Sequence, residues 1–125
     1  MKYSLEIIQK TDGAETVTRA VAEGKISGGA LELCYPFDGA EYRLIIKSGE
    51  IYQLRTGGVR LEMRFAAGKK TKCFLADGGN CGAFEIITKK LSVNFSGANV
   101  FAECGFCYAG DGGLINLTVV ANALQ

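Results

Sequence analysis

From Val59 to Phe65 the chain reads Val-Arg-Leu-Glu-Met-Arg-Phe, apolar at every odd position and charged at every even one. Successive side chains leave a strand on opposite sides, so this run predicts a strand with one dry face and one wet face. Similar alternation occurs at Leu31-Leu33-Tyr35-Phe37, Tyr42-Leu44-Ile46, Tyr52-Leu54-Thr56, Cys73-Leu75, Phe84-Ile86, Leu91-Val93-Phe95 and Val100 to Tyr108. Leu114 to Val120 is a last, more evenly apolar strand. Turn signals separate these runs, among them Asp12-Gly13, Asp38-Gly39, Ser48-Gly49, Gly57-Gly58, Asp77-Gly78-Gly79 and Gly110 to Gly113. Short strands at this spacing, joined by tight turns, predict an all-β meander of antiparallel hairpins. With about eight to ten strands and no firm helix signature, the meander is predicted to close into a barrel, which leaves no exposed edge. A β-sandwich is the alternative.

One segment offers a competing helix. Asp12-Gly-Ala-Glu15 has the form of a capping box, and ETVTRAVAEG ends on Gly24. Its β-branched residues and the alternation of Val17, Arg19 and Val21 favour a strand. Register is predicted at two turns. If Gly57-Gly58 forms a two-residue loop, Leu54 pairs with Leu61 and Tyr52 with Met63, giving one apolar face. Arg55 and Arg60 then share the opposite face. At the preceding turn a three-residue Ser48-Gly49-Glu50 loop places Leu44 and Ile46 beside Leu54 and Tyr52, whereas a two-residue loop flips that strand.

Composition fits one folded domain over residues 1–125, with 48% apolar and 22% charged residues. Fourteen basic and thirteen acidic residues leave a net charge of +1. The short runs at Lys69–Lys72 and Lys89-Lys90 read as solvated turns or edges, so no nucleic-acid partner is expected. The N-terminus alternates instead of forming a leader, and no window approaches the ~20 apolar residues of a membrane helix. A cytoplasmic location without membrane association is therefore expected, and there the five cysteines would stay reduced.

The order of motifs resembles the YwiB-like family of small bacterial proteins of unknown function. It runs LELCYPF, AEYRLIIKSGEIYQLRTGG, RLEMRFAAGKKTKCFLADGG, GAFEIITKKLSVNF and a last hairpin across Gly110 to Gly113. The most specific piece is Ile51-x-Gln53-x-Arg55-x-Gly57, followed by Met63-x-Phe65 and the run Phe84 to Thr88. The chain departs from the family pattern at Pro36-Phe37, where an acidic residue is more usual. The resemblance implies a calycin-like (lipocalin-like) barrel; it implies no activity, because fold alone does not fix function.

Candidate chemistry is sparse. Cys104-Gly-Phe-Cys107 is a CxxC pair, yet it falls within a predicted strand. There, residues three apart lie ~10 Å from each other and point to opposite faces. A disulfide wants Cα atoms within ~7 Å, so the pair is read as structural. With no histidine in the chain, serine or cysteine triads are excluded and a zinc site is disfavoured. No catalytic residue, metal site or cofactor is assigned, and the protein is read as a non-enzyme.

Two functions are compatible with such a barrel. The first is binding of a small apolar or anionic ligand inside or at its mouth. Tyr35, Tyr42, Tyr52, Leu61, Met63 and Phe65 are candidate lining groups, with Arg19, Arg43 or Arg55 as the anion anchor. The second is an interaction or regulatory module with a solid interior. A continuous cavity of several hundred Å3 would favour the first.

Overall fold

The computed structural model describes residues 1–124, and the alternation read above becomes ten strands. They are β1 (Lys2–Thr11), β2 (Ala14–Ser27), β3 (Ala30–Phe37), β4 (Ala40–Lys47) and β5 (Glu50–Thr56). After them come β6 (Arg60–Ala66), β7 (Lys70–Asp77), β8 (Asn80–Ser96), β9 (Asn99–Tyr108) and β10 (Ile115–Ala123). Each strand pairs antiparallel with the next, and β1 pairs with β10 from Tyr3 opposite Ala123 to Thr11 opposite Ile115. The sheet is thus a closed barrel, and the sandwich alternative is set aside. ETVTRAVAEG lies in β2, and no helix occurs among the described residues. None is therefore long and apolar enough to cross a membrane.

Directly opposed residues of an antiparallel pair share a face, so the register sorts every wall position. The core includes Tyr3, Leu5, Leu31, Leu33, Ile46, Ile51, Phe65, Ile86 and Val119, all nearly or fully buried. Phe65 meets Phe106 edge-on, with ring centres 4.9 Å apart. Such a geometry adds about 1 kcal/mol beyond the area the rings bury. Charged pairs occupy the outer wall, among them Arg19 with Glu6 and Arg64 with Glu50.

Two registers differ from expectation. Gly57 and Gly58 do adopt positive φ, +90° and +84°. However, Val59 joins the loop, and Arg55 pairs with Leu61, Gln53 with Met63 and Leu54 with Glu62. The Ser48-Gly49 turn takes the two-residue form, so Ile46 opposes Ile51 and Leu44 opposes Gln53. Each shift moves β5 by one residue relative to its neighbour, and a one-residue slip exchanges the faces of a strand. Ile51, Gln53 and Arg55 therefore face inward, and Tyr52 and Leu54 face out. A second correction concerns Lys89-Lys90. These lysines are exposed but lie within β8, at a β-bulge between Thr88 and Lys90, and make neither a turn nor a free edge.

Candidate functional site

Five hairpin connections meet at one end of the barrel: residues 12–13, 38–39, 57–59, 78–79 and 109–114. The turn at Asp38-Gly39 is tight, with φ of +51° and +77°, which fits a type I′ hairpin. Just inside this mouth, β3 and β4 place Tyr35 directly opposite Tyr42. Their rings stack with centres 5.2 Å apart and planes within 6°. Phe37 meets Tyr42 edge-on at 6.5 Å. Burial, and secondarily the neighbouring Tyr42, pushes the Tyr35 phenol well above the usual tyrosine range. It therefore stays neutral at physiological pH and keeps its O–H as a potential donor.

A cavity of about 140 Å3 opens here, walled by Ile7, Thr18, Tyr35, Tyr42, Gln53 and Leu117, with Gln9, Thr16 and Phe37 toward the rim. The strands β1 to β5 and β10 supply these walls. Hydroxyls and carboxamides interrupt an otherwise apolar lining, so the cavity offers both packing surface and hydrogen bonds. Other depressions lie elsewhere on the barrel. One of about 380 Å3 lies among Lys10, Glu15, Lys90 and Glu103. Lys10 and Glu15 pair across its edge at 3.8 Å.

Arg55 stands on β5 directly opposite Tyr42 and faces the same way. Its guanidinium carbon lies 6.0 Å from the Tyr42 ring centre, at the outer limit of a cation–π contact worth ~0.5 kcal/mol. Its Nε is buried and has no hydrogen-bond partner in the protein. The other arginines all have carboxylates: Arg19 with Glu6, Arg43 with Glu32, Arg60 with Glu62 and Arg64 with Glu50. Among the described residues Arg55 has none. Turning a cation inward without a counter-charge costs free energy unless something else neutralises it.

The structure brings some sequence candidates together and separates others. Tyr35, Tyr42 and Arg55 converge at the mouth. Met63 and Phe65 are buried deeper on β6, Met63 opposite Gln53. Leu61 opposes Arg55. Arg19 and Arg43 face outward, neutralised by Glu6 at 2.8 Å and Glu32 at 2.9 Å, which removes them as anion anchors for the interior. Tyr52 faces outward too, with Arg64 over its ring at 5.6 Å. Burial, and then Glu62 beside it, raises the Tyr52 phenol. Gln53 and Thr18 are wall residues that sequence reasoning missed. Gln53 alternates with Tyr52 and Leu54, and the apolar pair looked like the inner face.

Cys104 faces the core opposite Leu117 and Leu91, while Cys107, opposite Ile87, falls on the other face by alternation and is buried as well. All five cysteines are free thiols. Burial pushes the Cys104 thiol up to about 12, which suppresses the nucleophilic thiolate. No cluster of three or more metal-binding side chains occurs among the described residues.

Comparison with solved structures gives a match over nearly the whole chain. The crystal structure of ywiB protein from Bacillus subtilis superposes with a TM-score of 0.78 at 17% identity, covering 99% of this chain and 91% of that one. This chain has the ywiB fold. No protein-family model matches it, and no curated protein does. The resemblance read from the order of motifs is thus met at the level of the fold, as a ten-stranded closed barrel. At this identity the likeness to ywiB carries the architecture alone.

Proposed function

We propose that the barrel is a non-catalytic holder of a small ligand, bound at the mouth framed by the loops at 12–13, 38–39 and 57–59. The observation that carries this reading is a mixed-polarity cavity of about 140 Å3 with Arg55, which has no carboxylate partner, standing beside it as the cross-strand neighbour of its Tyr42 wall. Within the protein this half-buried cation has a weak contact with Tyr42 and no carboxylate, so the arrangement makes sense as a binding feature. The size of the cavity bounds the ligand. It falls short of the several hundred Å3 typical of sites for drug-sized molecules, so fatty acids and haem do not fit.

A thermal-shift screen tests the reading, because any ligand of the native state raises the melting temperature. Small single-ring compounds and small organic anions should raise it, while fatty acids and haem should not. A panel of small molecules with no effect at millimolar concentration would overturn it. A mouth cavity of about 140 Å3 in place of several hundred also supports a second reading, an interaction module without a ligand. Its apolar groups near the rim, Phe37, Leu75, Tyr108 and Leu114, are partly exposed. A flat small-molecule screen combined with partner capture lost on Tyr108→Ser would favour that alternative.

A further inference from the structure

Resting on the mouth-binding reading, we infer that the ligand is a monoanionic carboxylate carried on a single ring. Three features of the mouth fix the three parts of this statement. Size comes first: a cavity of about 150 Å3 holds one benzene molecule in a protein interior, and this one is about 140 Å3. Shape comes second. The parallel Tyr35 and Tyr42 rings, with Phe37 set edge-on to Tyr42, offer flat aromatic surface to a planar body. Charge comes third. Arg55 is the arginine that lacks a carboxylate of its own, whereas every outward-facing arginine has one.

The guanidinium group is a planar fork of N–H donors matched to a carboxylate, and its single charge balances one anion. Arg55 does not line the cavity itself but stands next to Tyr42, on the loop 57–59 side of Gln53, so an anion lying over Tyr42 toward that loop would meet this fork. The carboxamide of Gln53 and the hydroxyl of Thr18, both on the cavity wall, offer further hydrogen-bond donors to a bound molecule. A phosphate dianion would leave one charge unbalanced beside the apolar Leu117 and Ile7 walls.

Calorimetric titration with sodium benzoate, benzamide and sodium acetate tests the inference. Benzoate should bind about tenfold more tightly than its neutral isostere benzamide, and acetate, which lacks the ring, should bind more weakly than benzoate. Arg55→Gln should bring benzoate down to the benzamide level while leaving benzamide unchanged. Added salt should weaken benzoate binding to the wild-type protein and leave benzamide alone, a readout that needs no variant. Benzamide equal to or tighter than benzoate would overturn the carboxylate assignment and leave the mouth reading standing. Acetate equal to benzoate would overturn the ring. If none of these compounds binds and the wider small-molecule screen is also silent, the mouth reading itself falls.

Discussion

Arg55 and Tyr42 are direct cross-strand partners on the inner wall, the guanidinium carbon 6.0 Å from the ring centre. That relationship exists because Ser48-Gly49 makes a two-residue turn and Gly57-Gly58-Val59 a three-residue one. Either turn in its other form would send Arg55 to the outer wall. The loops at two ends of β5 thus decide whether the barrel has a cation at its mouth.

Arg55→Met should stabilise the free protein. The variant removes a buried Nε without an acceptor and an inward charge without a counter-ion. Replacing such a group with an apolar side chain of similar length should gain about 1 kcal/mol, after subtraction of the weak contact with Tyr42. Urea denaturation measures it. A loss of more than about 1 kcal/mol would show instead that Arg55 is held by interactions that support the fold.

Arg19→Ala and Arg43→Ala make the complementary case. Both residues form exposed ion pairs on the outer wall, with Glu6 and Glu32. Each variant should cost under about 1 kcal/mol. Neither should change benzoate binding, and a calorimetric titration of each variant checks this.

Gly24→Ala should be among the most damaging of small substitutions. A Cβ at this position would lie 2.6 Å from the Tyr3 ring and 2.8 Å from a Leu33 methyl group. Tyr3 is fully buried and cannot move aside. Overpacking of this kind should cost about 2 kcal/mol or more. Gly13→Ala is the control, because nothing lies within 4 Å there and only the φ of +83° resists the change. Urea denaturation midpoints of the two variants should differ clearly, with Gly24→Ala the lower.

The cysteines should react in two classes. Cys34 and Cys81 are exposed, whereas Cys73, Cys104 and Cys107 are buried. A thiol reagent at neutral pH should count two fast groups in the native protein and five after unfolding. Alkaline pH supplies a second readout. Burial raises the Cys104 thiol from an ordinary value of 9.0 to about 12. Between those values the unfolded chain loses this proton and the native protein keeps it, so stability should fall as pH rises from ~9 toward ~12. Cys104→Ala should flatten part of that slope in urea unfolding measured across the range.

Much of this architecture was legible in the residues. The alternation at Val59 to Phe65 and the β-branched run of ETVTRAVAEG led to strands, and closure followed from the need to cover edges. The strand placement of the CxxC pair was also legible, because its residues continue the alternation that runs from Val100 to Tyr108. The inner face of β5 was not. Tyr52 and Leu54 are the more apolar pair, and alternation by itself assigns them to the core. Gln53 and Arg55 take that place only because both flanking turns fix the register, and turn length at Gly57-Gly58 depends on whether Val59 extends the strand. Gly24 was weighed as a helix stop, whereas its role is to leave room for Tyr3 across the barrel wall.

The central claim is that an anion enters the barrel mouth and rests against Arg55 and Tyr42. It is tested most directly by nuclear magnetic resonance, following the Arg55 Nε–H, the Gln53 side-chain amide and the Tyr42 ring signals during titration with sodium benzoate. The account predicts saturable shifts concentrated on these three residues and on Thr18, with the Nε–H signal moving as it gains an acceptor. Shifts confined to the outer wall around Arg19, Arg43 or Tyr52, or an Nε–H signal unmoved at saturation, would contradict it.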